Sequence, residues 1–214
     1  MENRCIIIGG GGHAKVVIEL LRLDGRYLPF VVTDSNKSRW GESVLEVPVA
    51  GGDEKLAELG ENGIRHFVIG IGSVRSNELR SKLYDLACDY GLNPVTVSHP
   101  TAKISEGSKI GMGTVLMAGS IVNIDVAIGN NCVINSGAIV EHDCQVSDHA
   151  YLSPGVCLAS SVVVEEGAFI GIGAVIKQGV RVARRAVVGA GSVVLHDVPA
   201  ETTVVGIPAH SHQA

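Results

Sequence analysis

From Ile104 the chain reads ISEGSK IGMGTV LMAGSI VNIDVA IGNNCV INSGAI VEHDCQ, and the spacing holds without a break to Val194. Every sixth residue over that span is Ile, Leu or Val, sixteen in a row. Four positions after each aliphatic stands a small residue, from Ser108 and Thr114 to Ser192 and Val198. Three positions after it stands Gly, Asn or Asp in thirteen of the sixteen units, the exceptions being His149, Ser161 and Arg185. Those three residue types tolerate positive φ. A repeat of this kind decides an architecture before local propensities do. One large inward side chain, one small inward side chain and one left-handed corner make a flat face and a turn. Three faces close a triangular coil. Coils then stack at the inter-strand spacing of about 4.8 Å, with backbone groups paired to the coils above and below. Sixteen units at three per coil give a little over five coils, and no inserted loop interrupts them. Gly155 and Gly173 are expected at positive φ.

Upstream the texture is different. Arg4–Ile8 reads as a buried strand and His13–Leu23 as a helix with Val16, Val17, Leu20 and Leu21 on one face. Leu28–Thr33 reads as a strand, Glu54–Leu59 as a short helix, Phe67–Ile71 as a strand, Asn77–Tyr90 as a longer helix and Pro94–Val97 as a last strand. Such alternation implies a parallel sheet covered by helices. The segment is short for a full dinucleotide fold, so a truncated Rossmann-like α/β domain is expected over residues 1–98. An all-β domain with a C-terminal tail is expected over 102–214, joined through Ser98-His99-Pro100-Thr101.

Composition narrows the function classes. The 214 residues are 46% apolar, which excludes disorder. A net charge of −5 argues against nucleic acid or an anionic membrane as partner, and 4% aromatic content leaves too few rings for base stacking. No stretch reaches the roughly 18 apolar residues of a membrane span. The N-terminus has no basic region or cleavage site, so no signal peptide is expected. Five cysteines without a C-x-x-C pair read as reduced thiols of a cytoplasmic protein.

Two places carry chemistry. Gly9-Gly10-Gly11-Gly12-His13-Ala14 follows one predicted strand and opens a helix. Gly9, Gly11 and Ala14 fit the G-x-G-x-x-G/A spacing, in which a tight turn lets backbone N–H groups approach a phosphate. Asp34 lies twenty residues past Ala14, where a carboxylate can reach a ribose or base. His13 is placed to donate to a phosphate, and Gly72 lets a ligand approach the same sheet edge. The other place is Glu141-His142-Asp143, on a corner of the coil. His142 is two positions after Val140 and points outward, and Asp143 takes the positive-φ position. A carboxylate beside an imidazole holds one ring nitrogen as a donor and makes the other a base. A catalytic zinc would need three imidazoles, and the repeat offers only His142, His149 and a distant His196, so no metal is expected. Cys144 falls in the small inward column, away from His142, which argues against covalent catalysis.

The uninterrupted hexads resemble the left-handed parallel β-helix of hexapeptide-repeat proteins. Adding Gly9–Lys15, Asn135-Ser136 leading to Glu141-His142-Asp143-Cys144, Leu152-Ser153-Pro154-Gly155, and Val188-Gly189-Ala190-Gly191 through Gly206-Ile207-Pro208-Ala209, nearly the whole chain resembles the PglD and NeuD type of sugar acyltransferase. That resemblance implies His142 as general base and Asp143 as its orienting carboxylate. It implies a nucleotide site at Gly11, Gly12, His13, Asp34 and Gly72, and Asn135 facing the sugar. It places Tyr151, Ser160, Ile172 and Ala190 along an acetyl-CoA groove between neighbouring prisms of a homotrimer. No bound cofactor is implied; acetyl-CoA is the co-substrate and a nucleotide-linked amino sugar the acceptor. O-acetylation of sialic acid is the alternative activity, and a non-catalytic scaffold a third. Three positions depart from the pattern. Tyr151 stands where histidine is frequent, Ser160 where glycine is frequent, and His210 where a basic residue usually follows Pro-Ala.

Overall fold

A computed structural model describes residues 3–212 of the protein. The described residues divide into two compact units: 3–72 with Leu79–Val97, and Ser73–Glu78 with 98–212. The division falls at Val97/Ser98, and the short segment Ser73–Glu78 goes with the second unit rather than the first. Within that second unit Asn77 Nδ2 donates to Gly167 O and Ala168 O, both at 3.1 Å.

The first unit runs β1 (Arg4–Ile8), α1 (Gly12–Asp24), β2 (Leu28–Thr33), β3 (Ser43–Val44), β4 (Val47–Gly51), α2 (Lys55–Glu61), β5 (His66–Ile69), α3 (Glu78–Asp89) and β6 (Asn93–Pro94). Its sheet has the order β3-β4-β2-β1-β5-β6, parallel except for the β3–β4 hairpin. The chain leaves β1 towards β2 and β4, then returns to the other side at β5. The ends of β1 and its two neighbours therefore frame the place where the strand order reverses, which is where open α/β sheets bind ligands. Ile6, Ile8, Val31, Leu56, Phe67 and Ile69 form the core.

Three details differ from the sequence reading. Val16 of α1 is 42% exposed, and Ile18 takes the buried place beside Val17, Leu20 and Leu21. The strand expected over Pro94–Val97 is two: Asn93–Pro94 in this sheet and Val97–Ser98 at the start of the prism. The β3–β4 hairpin gave no signal. Its turn is Leu45-Glu46, both at positive φ (47° and 69°), where glycine or asparagine would normally advertise the turn.

The second unit is the triangular coil. Sixteen two-residue strands, from Lys103–Ile104 to Val193–Val194, each end on the periodic aliphatic. They fall on three parallel faces, pairing eighteen residues apart: Val133 with Tyr151, Tyr151 with Phe169, Phe169 with Val187. The large and small columns are buried together along the interior, Leu116, Ile134, Leu152, Ile170 and Val188 with Cys132, Ala150, Ala168 and Ala186. Fifteen of the sixteen corner positions have positive φ, Gly155 and Gly173 among them at 68° and 66°. His149, Ser161 and Arg185 adopt it too, at 61°, 58° and 54°, because the stacked coils leave the corner no other conformation. Asp197 is the one position without it; there the chain leaves the repeat. The tail then closes the far end of all three faces. Val198 bridges Val182, Thr203–Val205 pairs with Val187–Val188, and Gly206 O and Ala209 N bond Val193. His210–Ser211 turns back antiparallel on Val204–Val205.

Burial grades along the prism. Ile170 is fully buried, whereas Ile104, in the first coil, is 40% exposed. Ile170→Ala should cost about 2–5 kcal/mol, the range for a cavity in a packed core, and Ile104→Ala about 0.5 kcal/mol. Chemical denaturation of the two variants checks this; equal losses would contradict the burial gradient.

Candidate functional site

At the carboxyl edge of the α/β sheet the chain leaves β1 through Gly9–Gly12. Two glycines there are demanded by the fold. Gly9 has φ +99°, and a Cβ on Gly70 would lie 2.6 Å from Gly9 O and from Ile7 Cγ2. Gly11 and Gly12 are different: a Cβ on either would meet nothing within 4 Å. The space above them belongs to a cavity of about 440 Å³, and Gly11, Gly12, His13, Asp34 and Gly72 all line it. Gly11 caps α1 in an extended conformation with no side-chain hydrogen bond. The first N–H groups of a 13-residue helix thus border a cavity without a side-chain cap, an arrangement suited to an anion.

The side chains around this turn refine the expectations. Asp34 accepts Gly10 N–H at Oδ2 and Asn36 N–H at Oδ1, both at 2.8 Å, with Arg39 Nε at 4.0 Å. Arg39 also donates to Gly10 O. Asp34 and Arg39 therefore grip both sides of the Gly10 peptide, so the aspartate is first a strut of the turn. His13 is neutral. Burial, with the Arg80 charge adding to it, pushes its imidazole down to about 3, so it offers a neutral hydrogen bond and no positive charge. Arg80 itself is only 2% exposed and donates to Ile71 O. A second cavity of about 580 Å³ lies against Gly10–Gly12 and carries the cations Lys15 and Arg39. Asp53, past the end of β4, also lines the first cavity and was missed by the sequence reading. Its Oδ1 accepts from Thr33 Oγ1 at 3.1 Å. Its carboxyl is pushed up by burial, partly offset by the Thr33 hydrogen bond, with the Glu54 and Asp34 charges adding to the rise.

On the prism, His142 and Asp143 stand at one corner. Asp143 takes the left-handed conformation (φ 61°), and its Oδ2 lies 2.7 Å from His142 Nδ1. Both side chains are more than half exposed. With the carboxylate accepting, Nδ1 carries the proton and Nε2 presents a lone pair outward. Cys144 points into the core, donates from Sγ to Ala159 O and has its thiol pushed up to about 11 by burial, so no thiolate accompanies the histidine.

Tyr151, Ile172 and Ala190 line a largely apolar cavity of about 530 Å³ on another face of the same unit. Arg75, Thr203 and His212 are also on its walls. Ser160 is not among them: it sits one coil along from His142, where Ser161 N–H donates to His142 O. Asn135, expected to face the sugar, does not share the His142 corner within one chain. A step of one hexad turns the chain onto the next face, and the Asn135 amide donates to Tyr151 Oη at 3.1 Å. Tyr151 in turn stacks on Phe169, ring centroids 5.5 Å apart. His210 lies in the terminal antiparallel strand, paired with Val205. Among the described residues no three His, Cys, Asp or Glu side chains converge as a metal ligand set, and no helix is long and apolar enough to cross a membrane.

Comparison with known proteins gives two family matches: the PglD N-terminal domain over residues 4–86 and the bacterial transferase hexapeptide (six repeats) over residues 161–196. A perosamine N-acetyltransferase from Caulobacter crescentus, solved as a mutant in complex with CoA and GDP-perosamine, is 40% identical. The match covers 98% of this chain and 97% of that one, with a TM-score of 0.92. The acetyltransferase domain of PglB from Neisseria gonorrhoeae FA1090, in complex with acetyl coenzyme A, is 30% identical over 99% of this chain and 100% of that one, with a TM-score of 0.89. WeeI from Acinetobacter baumannii AYE is 28% identical over 97% and 99%, with a TM-score of 0.87. No curated protein matches the chain significantly.

The two classes of glycine separate in a simple test. Gly70→Ala should destabilise the protein by about 1–3 kcal/mol, as overpacking does. Gly12→Ala should leave the thermal midpoint unchanged or slightly higher, because alanine is the better helix former, while raising the KM of a ligand bound over the turn. A midpoint for Gly12→Ala as low as that of Gly70→Ala would show the open space to be structural.

Proposed function

The chain belongs to the PglD/NeuD-type family of sugar acyltransferases and is an acetyltransferase, and from that premise we propose that it transfers acetyl from acetyl-CoA to the amine of a nucleotide-activated sugar for surface-glycan synthesis. The observation that carries the acceptor class is the turn at Gly11–Gly12, open above and bordered by the uncapped start of α1. A phosphorylated acceptor suits that turn; free sialic acid has no phosphate to offer it. The relative solved with both CoA and GDP-perosamine supports the same reading.

In this reading His142 Nε2 takes a proton from the sugar amine as its nitrogen attacks the thioester carbonyl. Asp143 holds the imidazole in the tautomer that leaves Nε2 free. A backbone N–H stabilises the oxyanion. The C–S bond then breaks, the amide forms, and the proton leaves with the CoA thiol. The thioester is already activated, so positioning two bound substrates supplies much of the acceleration and no covalent enzyme intermediate is needed. The apolar cavity at Tyr151, Ile172 and Ala190 suits the acyl donor. Ile124, Ile172 and Val175 are exposed on the prism and support a homotrimer. Acetyl-CoA and nucleotide sugars are cytoplasmic metabolites, which supports a cytoplasmic reaction.

His142→Ala should lower turnover by roughly 10²–10⁴-fold, the usual contribution of a positioned base, with little change in acetyl-CoA binding. Asp143→Asn should cost less. Thiol release with UDP-, dTDP- or GDP-linked amino sugars, and separately with free sialic acid, reads the acceptor, and NMR of the product identifies the bond. Wild-type turnover in His142→Ala would remove the base. An ester on sialic acid, with no amide on any nucleotide sugar, would replace the acceptor. Sedimentation equilibrium at micromolar concentration should give a trimer, and a monomer would exclude the shared groove.

A further inference from the structure

We propose that Asp53, rather than Asp34, is the carboxylate that reads the nucleoside of the acceptor, accepting hydrogen bonds from a pair of adjacent donors: the vicinal hydroxyls of a ribose, or the N1–H and 2-amino edge of a guanine. The assignment rests on the nucleotide-sugar reading of the cavity given above.

Three acids stand at this sheet edge, and two are committed. Asp34 uses one oxygen on Gly10 N–H and the other on Asn36 N–H, with Arg39 beside it. Glu54 accepts Gly52 N–H at 3.0 Å and does not line the cavity. Asp53 does line it, and its carboxyl accepts a single protein hydrogen bond, from Thr33 Oγ1 to Oδ1. Thr33 is fully buried, so that bond fixes the direction of the carboxyl. A carboxylate has about four acceptor positions, and no other described residue fills the remaining ones; no cation pairs with it. Burial and the neighbouring negative charges disfavour an unpartnered carboxylate here, and a donor pair from a ligand would offset that.

The walls of the cavity fit this polarity. Lys15 and Arg39 line the other cavity beside the turn and not this one. The cavity therefore has backbone donors at Gly11–Gly12 and an acceptor at Asp53. A nucleoside diphosphate has the complementary order, phosphates that accept and a ribose or guanine that donates.

The test is calorimetry on the full-length protein with GDP, UDP, dTDP, IDP and the 2′,3′-dideoxy form of whichever of GDP and UDP binds more tightly. Asp53→Asn keeps the shape and the bond from Thr33. It should weaken the preferred nucleotide about tenfold or more, the scale of a hydrogen bond to a charged group, and leave the thermal midpoint and the acetyl-CoA KM unchanged. Asp34→Asn should instead lower the midpoint and weaken every ligand alike. If the ribose is read, the dideoxy analogue binds wild type about tenfold more weakly and the Asn variant no longer discriminates against it. If guanine is read, IDP, which lacks the 2-amino group, behaves that way. Wild type that binds neither GDP nor UDP would overturn the assignment, and failure to bind dTDP as well would overturn the nucleotide reading with it. Wild type that binds the dideoxy analogue and IDP as tightly as the preferred nucleotide would overturn the assignment alone, with no variant needed. So would an Asn variant with wild-type affinity.

Discussion

No strand of the prism can stand by itself. Each is two residues long, and its hydrogen bonds run to strands eighteen residues before and after it. That distance is three hexads, so one inserted residue carried through the stack would move the aliphatic and small columns out of the interior on every later face. The corners inherit the same rigidity. Ile124, His142, Ser160 and Gln178 form a column at one corner because the pairing allows nothing else. The interior uses only two positions of each hexad, leaving the second position after each aliphatic free of any packing duty. A histidine can occupy that position on a rigid scaffold at no cost to the core.

The repeat was legible because it over-determines itself: large column, small column and corner column agree unit after unit. The residues that break the corner rule, His149, Ser161 and Arg185, follow it in conformation, since cooperative stacking outweighs a strain of about 1 kcal/mol or so at each. What stayed hidden depended on context that spacing does not carry. The Leu45-Glu46 turn bends without turn residues, so the β3–β4 hairpin left no mark. Asn135 lies near His142 in sequence but one face away in the coil, and its partner is Tyr151. The acid at the end of β2 was correctly located. Its engagement with Gly10 and Asn36 could not be seen from a count of residues, nor could the presence of Asp53 on the same wall.

The two units differ in how their charged side chains are engaged. Around the glycine turn charge is consumed internally: Asp34 and Arg39 hold the Gly10 peptide, Arg80 is buried against Ile71 O, and His13 remains neutral. The backbone N–H groups at Gly11–Gly12 stay open beside the cavity, and their positions are set by the fold. On the prism the arrangement is the reverse, an exposed His–Asp pair held at 2.7 Å on the surface of the coil.

A stack of parallel coils has no intrinsic length. Its last turn presents unpaired N–H and C=O groups in the spacing the next coil would use, which is how β-solenoids elongate into fibres. Here the segment from Val198 onward occupies those groups on all three faces, and His210–Ser211 runs antiparallel across the outermost of them. A second molecule arriving end-on meets a reversed strand in place of a matching register. The tail is therefore a cap, and its loss would leave the backbone groups of the last coil open to pairing with another chain.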